Sequence, residues 1–198
     1  RYENCYLIYD EAHATGIFGP NGHGLSEGYD HKKIISIHTC GKAIGVSGAL
    51  VCGGSEIIDY LINKARPFIF TTAESPLIAI AVKKALEIID SEPWRRKQLL
   101  ELVAYTNKAY LEAFKEEPYF QSQIIPIILN ENSKAVKVAA YLQSKGFDIR
   151  AIRPPTVPTA RLRLSLNVNH TKDDINRVFS ELRYCLDQIL QEESKVEI

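Results

Sequence analysis

The feature that most constrains the fold is an apolar run near the start of the chain that ends in two acidic residues. Residues 5–9 read CYLIY, and Asp10 and Glu11 follow directly. A short apolar run of this kind predicts a buried strand, and α/β sheets place their ligands at the ends of such strands. Because the run begins a few residues after Arg1, without a preceding turn, we expect the chain to start inside a domain.

The pattern that follows alternates predicted strands and helices. Residues 34–54 contain two short β-branched runs around a turn-rich middle. Three helices are predicted next, the first with Ser55 as its N-cap and Pro67 as its stop. Pro93, between the second and third helices, is the predicted boundary between a large domain over residues 1–92 and a small domain over residues 93–198.

The second part of the chain predicts a small α+β domain. A strand-like run precedes a helix, for which Gly146 is the predicted left-handed terminator. Residues 160–170 then alternate, with leucines on one face and polar side chains such as Arg163 on the other. Thr171 and Asp174 form a capping-box pattern at the start of a final helix.

Composition excludes some classes of function. The chain is 45% hydrophobic and 24% charged, as in a globular protein, and its 24 Lys and Arg balance its 24 Asp and Glu. We therefore expect no nucleic-acid partner and no membrane partner. No long apolar run and no signal-type segment occurs, which predicts a cytoplasmic protein. The 4 cysteines form no CxxC pair and are predicted to be buried, reduced thiols.

Two interpretations compete for Asp10. The letters DEAH resemble the magnesium-binding strand of a DEAH-box ATPase, which would also need an upstream GxxxxGK[ST] phosphate loop. The Gly-Lys pair in this sequence is Gly41–Lys42, which lies after the acid and precedes Ala43 rather than a hydroxyl residue. The ATPase interpretation is therefore disfavoured.

The alternative combines Asp10 with Lys42. An enzyme that uses pyridoxal 5'-phosphate (PLP) needs a lysine for the aldehyde and a carboxylate that keeps the ring nitrogen protonated. Asp10 and Lys42 both follow predicted strands, and about thirty residues between them suit one crossover and a strand. Thr39 supplies a hydroxyl for the phosphate, and the glycines of residues 41–48 permit a tight backbone turn.

Four motifs, in order, resemble those of the α-oxoamine synthases: YDEAHATGIFGPNGHG, HTCGKAIGVSGALVCG, ARPFIFTTAESP and RPPTVPTARLRLSLNVNHT. This family consists of fold-type I PLP enzymes that condense an amino acid with an acyl-CoA and release carbon dioxide and CoA. The resemblance implies an α/β fold: the C-terminal part of an aminotransferase-like large domain, plus a small α+β domain. The last motif is most similar to the biotin-pathway member, which implies L-alanine and a pimeloyl thioester as substrates. Glycine C-acetyltransferase, which implies glycine and acetyl-CoA, or another α-oxoamine synthase, stays open.

The resemblance also implies roles for individual residues in the large domain. Lys42 would form the Schiff base and act as general base, and Asp10 would hold the pyridine nitrogen. His13 would hydrogen-bond the ring hydroxyl, and Thr39 the phosphate. Thr72 would reach the phosphate of the neighbouring subunit, because sites of this family lie at a homodimer interface.

Arg163 would bind the carboxylate of the amino acid, since a guanidinium fixes a carboxylate in one plane. Arg153 is a weaker candidate for the acyl-CoA or substrate region. Each role has a structural alternative: a turn cap, a packed polar side chain, a solvated loop lysine or a solvated strand face. His23, His31 and His38 resemble no metal site and are predicted to be surface or loop residues.

Two departures from the family pattern limit the resemblance. The glycine-containing phosphate segment and the histidine that stacks on the cofactor precede this region in the family, and neither is present here. We therefore expect the C-terminal half of an enzyme, and an inactive fragment or dimerisation unit stays open. The run TVPTARLRL also lacks a glycine-containing turn that the family inserts before Thr159.

Overall fold

The computed structural model describes residues 5–29 and 31–196. The chain divides into two compact units between Arg96 and Lys97. Each unit contains a three-stranded sheet. The division into two domains, over residues 1–92 and 93–198, stays a prediction. Within the described residues, no helix has both the length and the apolar character needed to cross a membrane.

The first unit consists of a mixed sheet, in the order β1-β2-β3, and three helices that follow it. Its elements are β1 (Leu7–Asp10), β2 (Ile34–Thr39), β3 (Ala49–Cys52), α1 (Ser55–Lys64), α2 (Arg66–Ile69) and α3 (Pro76–Ser91). β1 and β2 are parallel, and β3 pairs with β2 in the antiparallel direction. The carboxyl ends of β1 and β2 therefore lie at one edge of the sheet.

The predicted burial of β1 is wrong for the described residues. Leu7 is 54% exposed and Ile8 68% exposed. A parallel strand of this composition suits burial on both faces, but the described residues leave Leu7 and Ile8 uncovered. The predicted burial of the cysteines is wrong for Cys5 and Cys52, which are exposed, whereas Cys40 and Cys185 are buried.

The predicted ends of the first helix are also wrong. α1 begins at Ser55, and Gly54 is its N-cap without a side-chain hydrogen bond. The helix ends at Lys64, and Pro67 lies in the first turn of α2. A proline is tolerated in a first turn because its missing N–H has no partner to lose there. The α3 helix is confirmed, with the Ser75 hydroxyl accepting a hydrogen bond from the Leu77 N–H.

The second unit is the predicted α+β unit. Its elements are the part of α4 (Trp94–Phe114) from Lys97 onward, β4 (Ile124–Asn130), α5 (Asn132–Ser144), β5 (Arg150–Ile152), β6 (Ala160–Ser165) and α6 (Lys172–Val196). β6 lies between β4 and β5, antiparallel to both, and α5 packs against the strands and against α6.

Three sequence predictions about this unit are confirmed. The β6 leucines are buried, with Leu162 at 0% and Leu164 at 5% exposure, while Arg163 is exposed. The Thr171 N–H donates to Asp174 Oδ2 at 2.9 Å, and the Asp174 N–H donates to Thr171 Oγ1 at 3.1 Å. Gly146 follows α5 with φ of 88°.

Candidate active site

Asp10 lies at the end of β1, at the carboxyl edge of the parallel strand pair. It is opposite Ile37 of β2, and the Glu11 N–H extends the pairing by donating to the Ile37 carbonyl at 2.8 Å. The Asp10 side chain is exposed, and its Oδ1 accepts a hydrogen bond from the Ala12 N–H at 2.9 Å. This bond orients an accessible carboxylate at the position predicted from the sequence.

Glu11, the next residue, has the opposite environment. It is 1% exposed, and its carboxylate accepts hydrogen bonds from the Leu25 N–H at 2.9 Å and the Ser26 N–H at 2.7 Å. A Cβ on Gly24 would lie 2.7 Å from the Glu11 carboxyl carbon, so the loop approaches this closely because residue 24 is glycine. Glu11 therefore fixes the Gly-rich loop and is not available to activate a water molecule, as the ATPase interpretation requires.

Lys42 lies in the loop that joins β2 to β3, beyond Thr39, the last residue of β2. The loop is closed by the Cys40 N–H, which donates to the Gly48 carbonyl at 2.9 Å, and by the Val46 N–H, which donates to the Cys40 carbonyl at 2.9 Å. Lys42 is exposed, and its Nζ donates to Thr39 Oγ1 at 3.4 Å. The side chains of Thr39 and Lys42, each predicted separately as a cofactor ligand, are thus in contact.

Buried apolar residues anchor this loop against α3. Cys40 and Ile44 are 1% and 6% exposed and form a cluster with Val82 of α3, against which Leu50 of β3 packs. Cys40 and Ile44, on either side of Lys42, are held in this cluster, whereas Lys42 itself is exposed to solvent. The Cys40 thiol therefore has a packing role, and its burial raises its pKa.

His38 belongs to a hydrogen-bond network that the sequence did not predict. Its Nδ1 lies 2.8 Å from Thr15 Oγ1, and its Nε2 lies 2.9 Å from Ser36 Oγ. Thr15 Oγ1 donates to the Glu11 carbonyl at 2.8 Å, so it accepts from Nδ1–H of His38. Burial lowers the pKa of His38, which favours the neutral ring. The network ties β2 to the turn that follows Asp10.

His38 is therefore not a surface or loop residue, and that prediction is wrong. The available signal was the polar pair Ser36 and His38, spaced by two on the face of β2 where Ile34 is also buried. His23 is half exposed, as predicted, and its Nε2 lies 2.7 Å from Asp90 Oδ1. The side chain of His31 lies outside the described part.

The remaining predicted residues occupy other positions. His13 is exposed on the turn after β1, and Thr72 is exposed between α2 and α3. Arg163 is exposed on β6, and Arg153 is exposed directly after β5, both in the second unit. Asp10, Thr39 and Lys42 are thus brought to one edge of one sheet, whereas the roles of Thr72, Arg153 and Arg163 stay predictions.

The side chains at this edge fit PLP by their chemistry. The accessible Lys42 amine suits an aldehyde, the accessible Asp10 carboxylate suits a pyridine nitrogen, and the Thr39 hydroxyl suits a phosphate oxygen. Asp10 and Thr39 end neighbouring parallel strands, where open α/β sheets bind ligands.

Comparison with known proteins supports the resemblance that the motifs carry. The family model for class I and II aminotransferases matches residues 1–182. The 8-amino-7-oxononanoate synthase of Herminiimonas arsenicoxydans is 39% identical over 193 residues, which is 92% of this chain and 49% of the relative. The chain spans about half the length of the curated relatives it matches.

Solved structures match the fold. The crystal structure of 8-amino-7-oxononanoate synthase from Francisella tularensis has a TM-score of 0.83 and 31% identity, over 93% of this chain and 56% of that chain. A structure of SPT with PLP has a TM-score of 0.82 at 24% identity, over 92% of this chain and 47% of that chain, and shows the fold alone. The predicted fold class and the predicted resemblance are confirmed. The chain belongs to the aminotransferase class I and II family.

Proposed function

We propose that this chain is the C-terminal half of an 8-amino-7-oxononanoate synthase. The full-length enzyme would condense L-alanine with a pimeloyl thioester in biotin biosynthesis, with PLP as cofactor, and release carbon dioxide and CoA. The relatives that carry this name support the pathway and the reaction class. The cytoplasmic location expected from the sequence stays a prediction.

The observation that carries the proposal is the shared edge of Asp10 and Lys42. The parallel register of β1 and β2 puts the Asp10 carboxylate and the end of β2 at the same side of the sheet. The anchored loop then places the Lys42 amine next to Thr39, at 3.4 Å from its hydroxyl. A solvated loop lysine would need neither the closed loop nor the buried anchor beneath it.

Each residue at this edge would have a defined task. PLP, when bound, would supply an aldehyde that takes up an amine and a ring that accepts an electron pair from the substrate α-carbon. Asp10 would hold a proton at the ring nitrogen, because an adjacent carboxylate favours the charged pyridinium. Lys42 would remove the α-proton of the amino acid as general base and later return a proton to the product.

Arg163 would orient the substrate. Its guanidinium has no ion-pair or hydrogen-bond partner among the described residues, so it is free to take up a carboxylate in the two-pronged geometry. Orienting the carboxylate decides which bond of the α-carbon stands perpendicular to the ring. Arg153, also exposed, would serve the acyl-CoA side.

We also propose a homodimer with shared sites. Residues around Thr72 expose large apolar side chains, with Phe68 at 61% and Phe70 at 77% exposure in the first unit. A second copy would bury this surface and bring Thr72 to the phosphate of the neighbouring site. Sedimentation of the full-length protein would measure the oligomeric state, and a monomer at micromolar concentration would contradict this assignment.

The proposed activity is tested with the full-length protein loaded with PLP. CoA release is measured with L-alanine and pimeloyl-CoA, and separately with glycine and acetyl-CoA. We expect faster release with the first pair, and loss of release in Lys42→Ala. A preference for the second pair would instead favour glycine C-acetyltransferase, and the absence of release with both pairs would contradict both assignments. The inactive fragment or dimerisation unit would be favoured if the intact mass of the polypeptide matched these 198 residues alone.

A further inference from the structure

A groove of about 690 Å³ lies in the second unit at the end of the sheet where β5 and β6 pair. Arg163, the proposed carboxylate ligand, lines it together with Arg150 and Asp148. The other lysine and arginine residues of its lining are Lys145 and Arg177. The groove is therefore rich in cations, although the chain as a whole has a formal net charge of 0.

The cations of the groove differ in whether an acid neutralises them. The Arg150 guanidinium lies 2.7 Å from Asp148 Oδ1, and the Arg177 guanidinium lies 3.9 Å from Asp174 Oδ1. Lys145 Nζ lies 3.9 Å from Oε2 of Glu181, a residue that does not line the groove. Within the described residues, the Arg163 guanidinium is the groove cation without an acidic partner.

Sheet register places Arg150, which holds Asp148, beside that free guanidinium. Arg150 of β5 is directly opposite Arg163 of β6, so both side chains stand on the same face. Asp148 lies just before β5 begins, and its carboxylate contacts the Arg150 guanidinium, so it faces the same side of the sheet as the Arg163 side chain. Arg150 and Arg163 can thus compete for one carboxylate, and Arg150 holds it.

We propose that Arg150 is a positioning residue that keeps Arg163 free for the substrate carboxylate by engaging Asp148. This inference rests on the proposed function, because it takes the amino acid as the ligand of Arg163. Without Arg150, Asp148 turns to Arg163 and occupies the guanidinium edge that the substrate needs. Binding of the amino acid then has to break an ion pair first.

The test measures L-alanine binding by titration calorimetry, with the PLP-loaded full-length protein and no acyl donor. Arg150→Ala is expected to raise the dissociation constant about 2- to 5-fold, the range that an exposed ion pair supports. Asp148→Asn is expected to bind as the parent does or more tightly. The double variant Arg150→Ala with Asp148→Asn is expected to return to within about 1.5-fold of the parent, and Arg150→Lys to retain parental binding.

Arg177→Ala is the matched control within the groove. It removes one cation, as Arg150→Ala does, but its acid stays engaged because Asp174 Oδ2 accepts hydrogen bonds from the Thr171 N–H at 2.9 Å and the Thr171 hydroxyl at 2.8 Å. This variant should change L-alanine binding by less than about 1.5-fold if contact with Asp148, rather than net charge, is the cause. Thermal unfolding of each variant verifies that the fold is intact.

Three results would overturn the inference. If Arg150→Ala binds L-alanine as tightly as the parent does, Arg150 does not keep Arg163 free. If the double variant binds L-alanine as weakly as Arg150→Ala does, Arg150 contacts the substrate directly. Equal weakening in Arg177→Ala assigns the effect to net charge. Arg163→Ala separates this inference from the proposed site: if it binds L-alanine as the parent does, the carboxylate site itself is wrong.

Discussion

Replacing Glu11 by glutamine distinguishes the structural role of the Glu11 carboxylate from the proposed catalytic role of the neighbouring Asp10 carboxylate. Glu11 is 1% exposed, and its two oxygens each accept one backbone N–H, from Leu25 at 2.9 Å and from Ser26 at 2.7 Å. Glutamine has nearly the same shape, but its amide offers one acceptor oxygen. The NH₂ group of the amide would face an N–H donor, so the Glu11→Gln variant loses one of the two bonds.

The expected cost follows from these bonds. A hydrogen bond to a charged group contributes about 1.5–3 kcal/mol, and a buried donor left without an acceptor costs about 1–3 kcal/mol. The neutral amide also avoids the desolvation of a buried charge, which offsets part of the loss. We therefore expect Glu11→Gln to lower the free energy of unfolding by about 2–4 kcal/mol, a large share of the roughly 5–15 kcal/mol typical of a domain.

Urea denaturation of the full-length protein, followed by circular dichroism, measures this change. Asp10→Asn is the matched control: the Asp10 carboxylate is exposed and accepts one local hydrogen bond, from Ala12, so its replacement should change stability by less than about 0.5 kcal/mol. Asp10→Asn should nevertheless lose most turnover, because an amide cannot stabilise a pyridinium. A Glu11→Gln variant as stable as the parent would refute the structural role of this carboxylate.

Three further predictions concern Lys42, Arg163 and His38. Borohydride treatment of the PLP-loaded full-length protein should fix the cofactor covalently to Lys42, and a peptide map that places the adduct on another lysine would contradict the assignment. Arg163→Lys should weaken L-alanine binding by about 10- to 150-fold without loss of PLP, since it forfeits a charge-assisted pair of about 1.5–3 kcal/mol; parental affinity would make Arg163 a surface residue. Burial lowers the pKa of His38 from its usual 6.5, so the unfolded chain takes up a proton at higher pH than the folded chain. The His38 contribution to stability is therefore complete above pH 6.5 and falls as pH drops below it. The His38→Asn variant should have a urea midpoint that depends less on pH than that of the parent between about pH 7 and 5.5.

Local periodicity predicted the second unit well because its elements are stabilised within that unit. The leucines of β6 face the buried side and Arg163 faces out, as strict alternation requires. The Thr171–Asp174 pair forms the hydrogen bonds of a capping box, which depend on residues three apart in sequence. Such signals need no knowledge of distant contacts.

The first unit was predicted less well where distant residues decide the outcome. The apolar character of β1 suits a strand covered on both faces, yet Ile8 is 68% exposed among the described residues. His38 was assigned to the surface because its distant partner Thr15 reaches it through the pairing of β1 with β2, which composition cannot show, although Ser36 lies two residues away on the same strand. The end of α1 was misplaced because the chain begins a second short helix at Arg66 before Pro67 takes effect.

The pair Asp10–Glu11 explains how one strand end serves both chemistry and folding. Successive side chains of a strand point to opposite faces, so a single register sends Asp10 outward and Glu11 into the loop of Leu25 and Ser26. A slip of one residue would bury the Asp10 side chain and expose Glu11. The Glu11 N–H donates to the Ile37 carbonyl at 2.8 Å, which fixes the register of this strand end against β2. The buried Glu11 carboxylate fixes the same register through its bond to the loop. The proposed position of the Asp10 carboxylate therefore depends on the Glu11 carboxylate. Loss of Glu11 should reduce PLP affinity, although Glu11 does not reach the accessible edge.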